Sequence, residues 1–189
     1  MKALGDSHTA YDVMREYMIM GAELDGKYQI PMLDRYTGHP GEDTVDFKDS
    51  FSLKIKNHRK LTVNFYIHDY EFEKIWNNPD RYLEHLKCFH SVIGPDFSMA
   101  VGENGMPFAM NIYQKYRNHA LSHYLSMNGI KVIPNVSIPP EYCYDWAFDG
   151  VPKRSTVACC TNGRIKSRAS REEFCITTSF SLTTAFTTW

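Results

Sequence analysis

The chain has no run of 18 or more apolar residues, so no membrane-spanning helix is expected. It also lacks a strong excess of either charge: 21 Lys and Arg stand against 22 Asp and Glu, a net charge of −1. A nucleic-acid coat or a polybasic membrane binder carries a marked basic surplus, so the total argues against both and leaves only a local basic patch. Cysteines are few and irregularly placed. Cys88, Cys143, Cys159, Cys160 and Cys175 are odd in number and form no C-x-x-C pair, which fits neither a disulfide framework nor a zinc ribbon. The opening "MKALGDSHTAYDV" has no apolar run after its lysine and does not read as a signal peptide, so a reducing cytoplasm is the expected compartment. Low-complexity linkers and repeats of fixed length are absent as well.

What is present is the material of a core. Of 189 residues, 43% are hydrophobic and 14% aromatic, which supports one folded domain. The expected organisation is a single α/β domain over residues 1–174, whose first 50 residues form a helical and loop-rich lead-in. Residues 175–189, "CITTSFSLTTAFTTW", are Thr-rich and uncharged, an atypical tail with the character of a β-prone edge.

Periodicity places the elements. Residues 9–24 set Val13, Tyr17, Met18 and Met20 near one side of an amphipathic helix. "KYQIPMLD" reads as a strand entering a turn, and "TVDF" as a short strand inside a loop rich in Gly, Pro, Asp and Thr. "FSLKI" and "LTVNFYI" flank the polar "KNHRK", which permits a hairpin, and equally lets the second run open a parallel series. Strand and helix then alternate: "LTVNFYIHD", a helix over 70–88, "SVIGPDFS", a helix over 107–127, "IKVIPNVSI", a short helix near 141–148, and "STVACCTNG". This order predicts an α/β fold with a mostly parallel sheet of four or more strands joined by crossover helices. Leu61, Val63, Phe65 and Ile67 fall on one face of their strand, with Thr62, Asn64, Tyr66 and His68 on the other. A semi-polar second face suits a barrel-like interior or a solvated hairpin face.

Helix punctuation agrees with that order. Asp69 sits where an N-cap belongs, with Glu71 and Glu73 in the first turn. Asn78 and Pro79 restart the helix and predict a kink. In 107–127, Ile112, Tyr113, Tyr116, Ala120 and Tyr124 share an apolar arc. Asn111, Gln114, Lys115, Asn118 and Ser122 lie opposite, on the expected solvent side, and Gly129 ends the helix.

Ligands of parallel sheets gather at the carboxyl ends of the strands. Those ends carry Asp34, His68 and Asp69, Asp96 and Ser98, Asn135 and Ser137, and Thr161 and Asn162. Polar loop starts are also what caps and turns require. Asp96 follows Pro95 with no helix directly after it, so capping explains it less well. The candidate site therefore has Asp96 as general base or ligand anchor, assisted by His68 and Asp69. Ser98, Asn135 and Asn162 offer binding groups, and Arg117 would hold an anionic group such as phosphate.

His119 and His123 have the spacing of helical metal ligands, but no Glu lies between them and no third ligand is signalled, so they are read as a boundary pair and no metal is assigned. "KIKNHRK" and "GRIKSR" have the composition of phosphate-contacting loops, although short charge runs are usually solvated. Cys159 and Cys160 sit mid-strand without an identified base. No motif names a cofactor.

"YIHDYEFEKIWNNPDRYLEHLKCF", "PDFSM", "MPFAMNIYQKYRNHALSHYLSMNGIKVIPNVS" and "FDGVPKRSTVACCTNG" occur in order and closely resemble the bacterial and phage family called domain of unknown function 4417, over about residues 60–170. The resemblance implies recurring positions at Asp69, Trp76, Pro79, Tyr82, Pro95, Asp96, Phe97, Ser98, Pro107, Arg117, Gly129, Pro134, Phe148, Asp149, Gly150 and Gly163. It implies a phage or mobile-element context and no assigned activity. The chain departs from the pattern at His119, where a second basic residue is implied, and in its tail. Three functions follow: an enzyme or degenerate enzyme acting on a nucleotide or sugar-like substrate, a non-enzymatic protein binding a host protein or nucleoprotein complex, or nucleic-acid binding through the basic loops.

Overall fold

The alternation in "LTVNF" sets the centre of the sheet. The computed structural model describes residues 12–137 and 140–159. In it β3 (Asp43–Asp46), β4 (Leu61–Asn64), β5 (Ser91–Ile93) and β6 (Val132–Ile133) pair side by side in chain order, all parallel. Val45 lies opposite Val63, Val63 opposite Val92, and Val92 opposite Val132. A parallel bridge from Asn135 to Ala158 carries the same progression one step further. Before the sheet, β1 (Leu24–Asp25) and β2 (Ile30–Pro31) form a short antiparallel pair.

The crossovers are helical where expected. β4 runs to β5 through α1 (Asp69–Asn77) and α2 (Asp80–Leu86), separated at Asn78 and Pro79. β5 runs to β6 through α3 (Phe108–Met127), and α4 (Tyr144–Ala147) follows β6.

Two expectations are corrected. "FSLKI" forms no strand: Asp49–Phe51 is a 3-10 turn, and Leu53 is fully exposed. One edge of β4 is taken by β3 and the other by β5, so no edge is left for a hairpin partner. The helix expected over 9–24 is, within the described residues, one 3-10 turn, Glu16–Ile19. Arg15 adopts left-handed backbone (φ 53°) at its start, which breaks a helical path there. Met18 is nonetheless fully buried, and Tyr17 meets the Tyr124 ring edge-on at 5.5 Å.

Both faces of the sheet are covered. Val63, Phe65, Val92 and Val132 pack with Phe72, Ile75, Trp76 and Leu86 of α1 and α2, and with Leu121 and Leu125 of α3. On the other face, Ile93, Ile133 and Ala158 pack with Tyr36 and Tyr66. The polar members of that face are paired rather than solvated. Thr62 and Ser91 share a hydroxyl bond at 2.8 Å, Thr62 Oγ1 accepts from the Gly41 amide at 2.7 Å, and Asn64 Oδ1 accepts from the Tyr66 amide at 3.1 Å. Satisfied in this way, they cost little to bury.

Aromatic rings tie the elements together. Phe65 stacks on Phe47 at 4.9 Å and meets Phe72 at 5.3 Å, and Phe72 meets Phe97 at 4.7 Å. Phe65→Ala is expected to cost about 3–5 kcal/mol, read as a lower urea midpoint at unchanged slope. A loss below about 1 kcal/mol would show that this ring does not bear the core.

Candidate functional site

Side-chain amides bind the loop that leaves β5 to the helix that follows it. Asn111 Oδ1 accepts from the Ala100 amide at 2.9 Å, and its Nδ2 donates to the carbonyls of Ala100 at 3.1 Å and Met106 at 3.0 Å. Asn118 treats Phe97 likewise, accepting its amide at 2.7 Å and donating to its carbonyl at 3.2 Å. Seven residues are close to two helical turns, so both amides lie on one side of α3. Each offers a donor and an acceptor together, which is what the N–H and C=O of one loop residue require. Below them Ser122 donates to the Asn118 carbonyl at 2.7 Å, and Gly94 approaches so closely that a Cβ there would lie 2.6 Å from the Ser122 hydroxyl.

The consequence reverses the expectation for α3: Asn111, Gln114, Lys115, Asn118 and Ser122 are all buried. Helical periodicity separates two chemically distinct stripes but does not say which one meets protein. Here the polar stripe meets irregular backbone, which needs polar partners.

Lys115 and His119 occupy the same buried side, at 4% and 3% exposure. Lys115 Nζ donates to the Ala147 carbonyl at 2.8 Å and lies 3.3 Å from His119 Nε2. His119 Nδ1 is 2.9 Å from the Pro31 carbonyl. A carbonyl only accepts, so the ring proton sits on Nδ1 and the Nε2 lone pair is turned to Lys115. Gly150 (φ 73°) closes the arrangement, since a Cβ there would fall 2.6 Å from the Pro31 carbonyl and 2.7 Å from His119 Nδ1. Burial, helped by the Lys115 charge, holds His119 well below the usual histidine range. Burial also brings Lys115 down to about 8, against the opposing pull of the Asp149 and Asp25 carboxylates. The Asp149 carboxyl is raised by its own burial and by Asp25, and its Oδ2 finds no hydrogen-bond partner among the described residues.

Lys115 and His119 border a cavity. Lys115, Asn118 and His119 come from α3, Asn135, Val136 and Ser137 follow β6, and Met99 and Val101 follow β5. Trp146, Ala147 and Val151 close it from α4 and its exit. The cavity thus lies at the carboxyl ends of β5 and β6, the end of a parallel sheet where ligands collect.

The residues singled out from sequence fall into separate groups. Asp96 Oδ1 accepts from Asn135 Nδ2 at 2.9 Å, and Asn135 Oδ1 accepts from the Tyr66 hydroxyl at 3.1 Å, so the ends of β4, β5 and β6 meet there. Asn135 also lines the cavity. Asp69 is not the helix cap; His68 is, and Asp69 reaches across to accept from the Ser98 amide at 3.1 Å and its hydroxyl at 2.8 Å. His68 is exposed and stacks on Tyr70 at 5.6 Å. Arg117 is buried with its guanidinium 3.6 Å from the Phe97 ring centre, paired with Glu73 and bonded to Gln114, and it does not line the cavity. Asn162 lies outside the described residues. Lys115, Asn111 and Asn118 were missed as functional groups; their i, i+4, i+7 spacing on one stripe was the available signal. His123 Nε2 bonds the Met20 carbonyl at 3.2 Å, and among the described residues no group of three His, Cys, Asp or Glu is placed to hold a metal ion.

Fold and site together define an α/β protein whose sequentially ordered parallel sheet carries a cavity of mixed apolar and polar lining at its strand ends. The chain belongs to the family described as Domain of unknown function (DUF4417), whose model matches residues 22–184, from within the lead-in into the tail. Over 112 residues it is 34% identical to the "Gene 1 protein" of Mycobacterium phage L5, covering 59% of this chain and 48% of that protein. It is 30% identical over 112 residues to the "Gene 1 protein" of Mycobacterium phage D29, covering 59% of this chain and 40% of that one. The matching stretch spans less than half of either phage protein. No solved structure matches the chain at a significant level. No helix among the described residues is long and apolar enough to cross a membrane.

Asn118→Ala is expected to cost about 1–3 kcal/mol, by stranding the Phe97 amide and carbonyl. Amide exchange at Phe97 should accelerate at least as much as at α3, and unchanged protection there would count against the stitch. Lys115 supplies a pH test. Its folded value lies below its unfolded one, so the unfolded chain binds the extra proton, and the burial cost is full below pH 8 and relieved towards pH 10.5. Relative to Lys115→Met, the wild type should gain on the order of 2–3 kcal/mol across that window, and a flat difference would show an ordinary lysine.

Proposed function

We propose that this phage-type chain binds a small, uncharged, sugar-like compound at the strand-end cavity, whose space of about 30 Å³ admits one group of the ligand rather than the whole of it. The observation that supports this most directly is the convergence of Lys115, Asn118, His119, Asn135 and Ser137 on a cavity that also includes Trp146. Asn118 keeps one N–H and one lone pair beyond its bonds to Phe97, and with the Ser137 hydroxyl and the Trp146 ring it matches one edge of a sugar, whose hydroxyls need hydrogen bonds and whose C–H face packs on a ring. An anionic ligand is a poorer match. Lys115 is the one cationic group lining the cavity among the described residues, and burial works against its charge. Arg117 is occupied by Glu73 and the Phe97 ring. Asp96 acts on this reading as a positioning residue, orienting Asn135 through its carboxylate.

Thermal melting of the wild type with aldoses, ketoses, nucleosides and their phosphorylated forms tests the reading. Val151→Phe, which fills the cavity from the exit of α4, serves as the control. At 100 times its dissociation constant a ligand stabilises by about 2.7 kcal/mol, or roughly 5–10 °C for a chain of this size. A neutral compound should raise the wild-type melting temperature and leave Val151→Phe unmoved. A response confined to phosphorylated compounds, or one kept in Val151→Phe, would overturn the reading.

A further inference from the structure

We infer that Lys115 is a nucleophilic amine that forms a reversible imine with the aldehyde or ketone carbonyl of a small compound in this cavity; the inference rests on the cavity reading above. The hydrogen-bond inventory carries it. An ammonium has three N–H donors and no lone pair, whereas a neutral amine has two donors and one lone pair. Lys115 Nζ has two acceptors, the Ala147 carbonyl at 2.8 Å and His119 Nε2 at 3.3 Å. Those two acceptors take both N–H donors of a neutral amine and leave its lone pair uncommitted, in a site 4% exposed at the cavity wall. His119 is fixed in this orientation, because its Nδ1–H is committed to Pro31 and the ring is held against Gly150. The charged and titratable groups facing the amine are His119 on its own helix, Asp25 of β1 and Asp149 after α4. The two carboxylates favour the ammonium, while burial outweighs them. A desolvated amine beside an apolar and aromatic wall is the setting in which lysine becomes a nucleophile near neutral pH.

The step balances without any redox partner. The Lys115 lone pair attacks the carbonyl carbon, the N–C bond forms, and the C=O π pair moves to oxygen. His119 Nε2, within reach of the amine, takes a proton from nitrogen and returns it to that oxygen. Loss of the second nitrogen proton with the hydroxyl expels water and leaves the C=N bond. Hydrolysis reverses the sequence.

The test uses glycolaldehyde, a neutral two-carbon hydroxyaldehyde, with cyanoborohydride as the hydride donor that reduces any imine to a stable secondary amine. Peptide mapping by mass spectrometry then reads each lysine. At pH 7.5 the wild type is expected to carry the adduct at Lys115 in excess over every exposed lysine. An amine whose value is about 8 rather than 10.5 has a neutral fraction roughly two orders of magnitude larger there. Yield at Lys115 should rise through a midpoint near pH 8 and fall at least tenfold in Val151→Phe. Because the site is located by mapping the wild type, the result does not depend on the folding of Lys115→Met. Adducts spread over exposed lysines, or none at Lys115, would overturn the imine, and a sugar-induced melting shift lost in Val151→Phe would leave the cavity reading standing. Labelling of Lys115 that persists in Val151→Phe would overturn the cavity reading itself.

Discussion

The structure depends on the burial of the polar side of α3. Asn111, Gln114, Lys115, Asn118, His119 and Ser122 are withdrawn from water along one helix. A polar group buried without a partner costs about 1–3 kcal/mol, and six such losses would rival the total stability of a typical domain. The helix can therefore sit here only if its partners are already in place: the loop after β5, the carbonyl of Ala147 at the end of α4, and the carbonyl of Pro31 in β2. An irregular segment that would normally be the soft part of an α/β fold is thereby tied to α3 at Phe97 and Ala100, and fixed walls are what a cavity needs.

The two basic residues of "QKYR" illustrate how that helix divides its work. Residues two apart on a helix are separated by about 200°, so Lys115 and Arg117 cannot face one cavity together. Arg117 turns to the side of α1, where its guanidinium packs on Phe97, 5.0 Å from the Trp76 ring, and pairs with Glu73. A planar, weakly hydrated cation suits that stacked position. Lys115 turns to the other side, where a single nitrogen with rotatable donors meets two acceptors. Phe97 links the two sides, since its ring receives Arg117 while its backbone is held by Asn118.

Much of the framework was legible in the sequence because it rests on period and punctuation. The valines and aromatics of "TVDF" and "LTVNF", the break at Asn78 and Pro79, and the order of strand and helix are local signals, and the parallel sheet follows from them. The semi-polar face of β4 was legible too, as was its unusual character. What covers that face, Tyr36 and the segment around Ala158, comes from distant parts of the chain and leaves no local trace. The site was legible as a location, the carboxyl ends of the strands, more than as a set of residues. Asp96, Asn135, Asp69 and Ser98 all engage one another there, but as two separate pairs. Lys115 escaped because a lysine on a polar helical stripe has the same periodic signature whether the stripe meets water or a loop.

The opposite end of the sheet shows why location decides between readings of similar composition. Arg59, Lys87, His90 and Lys131 line a groove beside the amino ends of β5 and β6, and by composition it resembles a phosphate site as well as any part of the molecule. Lys60 and Lys87 are already paired with Glu42 and Glu84. α2 ends at Leu86, directly before Lys87, where the carboxyl end of a helix presents partial negative charge. Lys87 is accounted for by that helix end and by Glu84. The polar groups at the other end have no such local account: Asn118, Asn135, Lys115 and His119 are brought together by tertiary structure alone, and an arrangement that helix and sheet geometry do not require is where chemistry is to be sought.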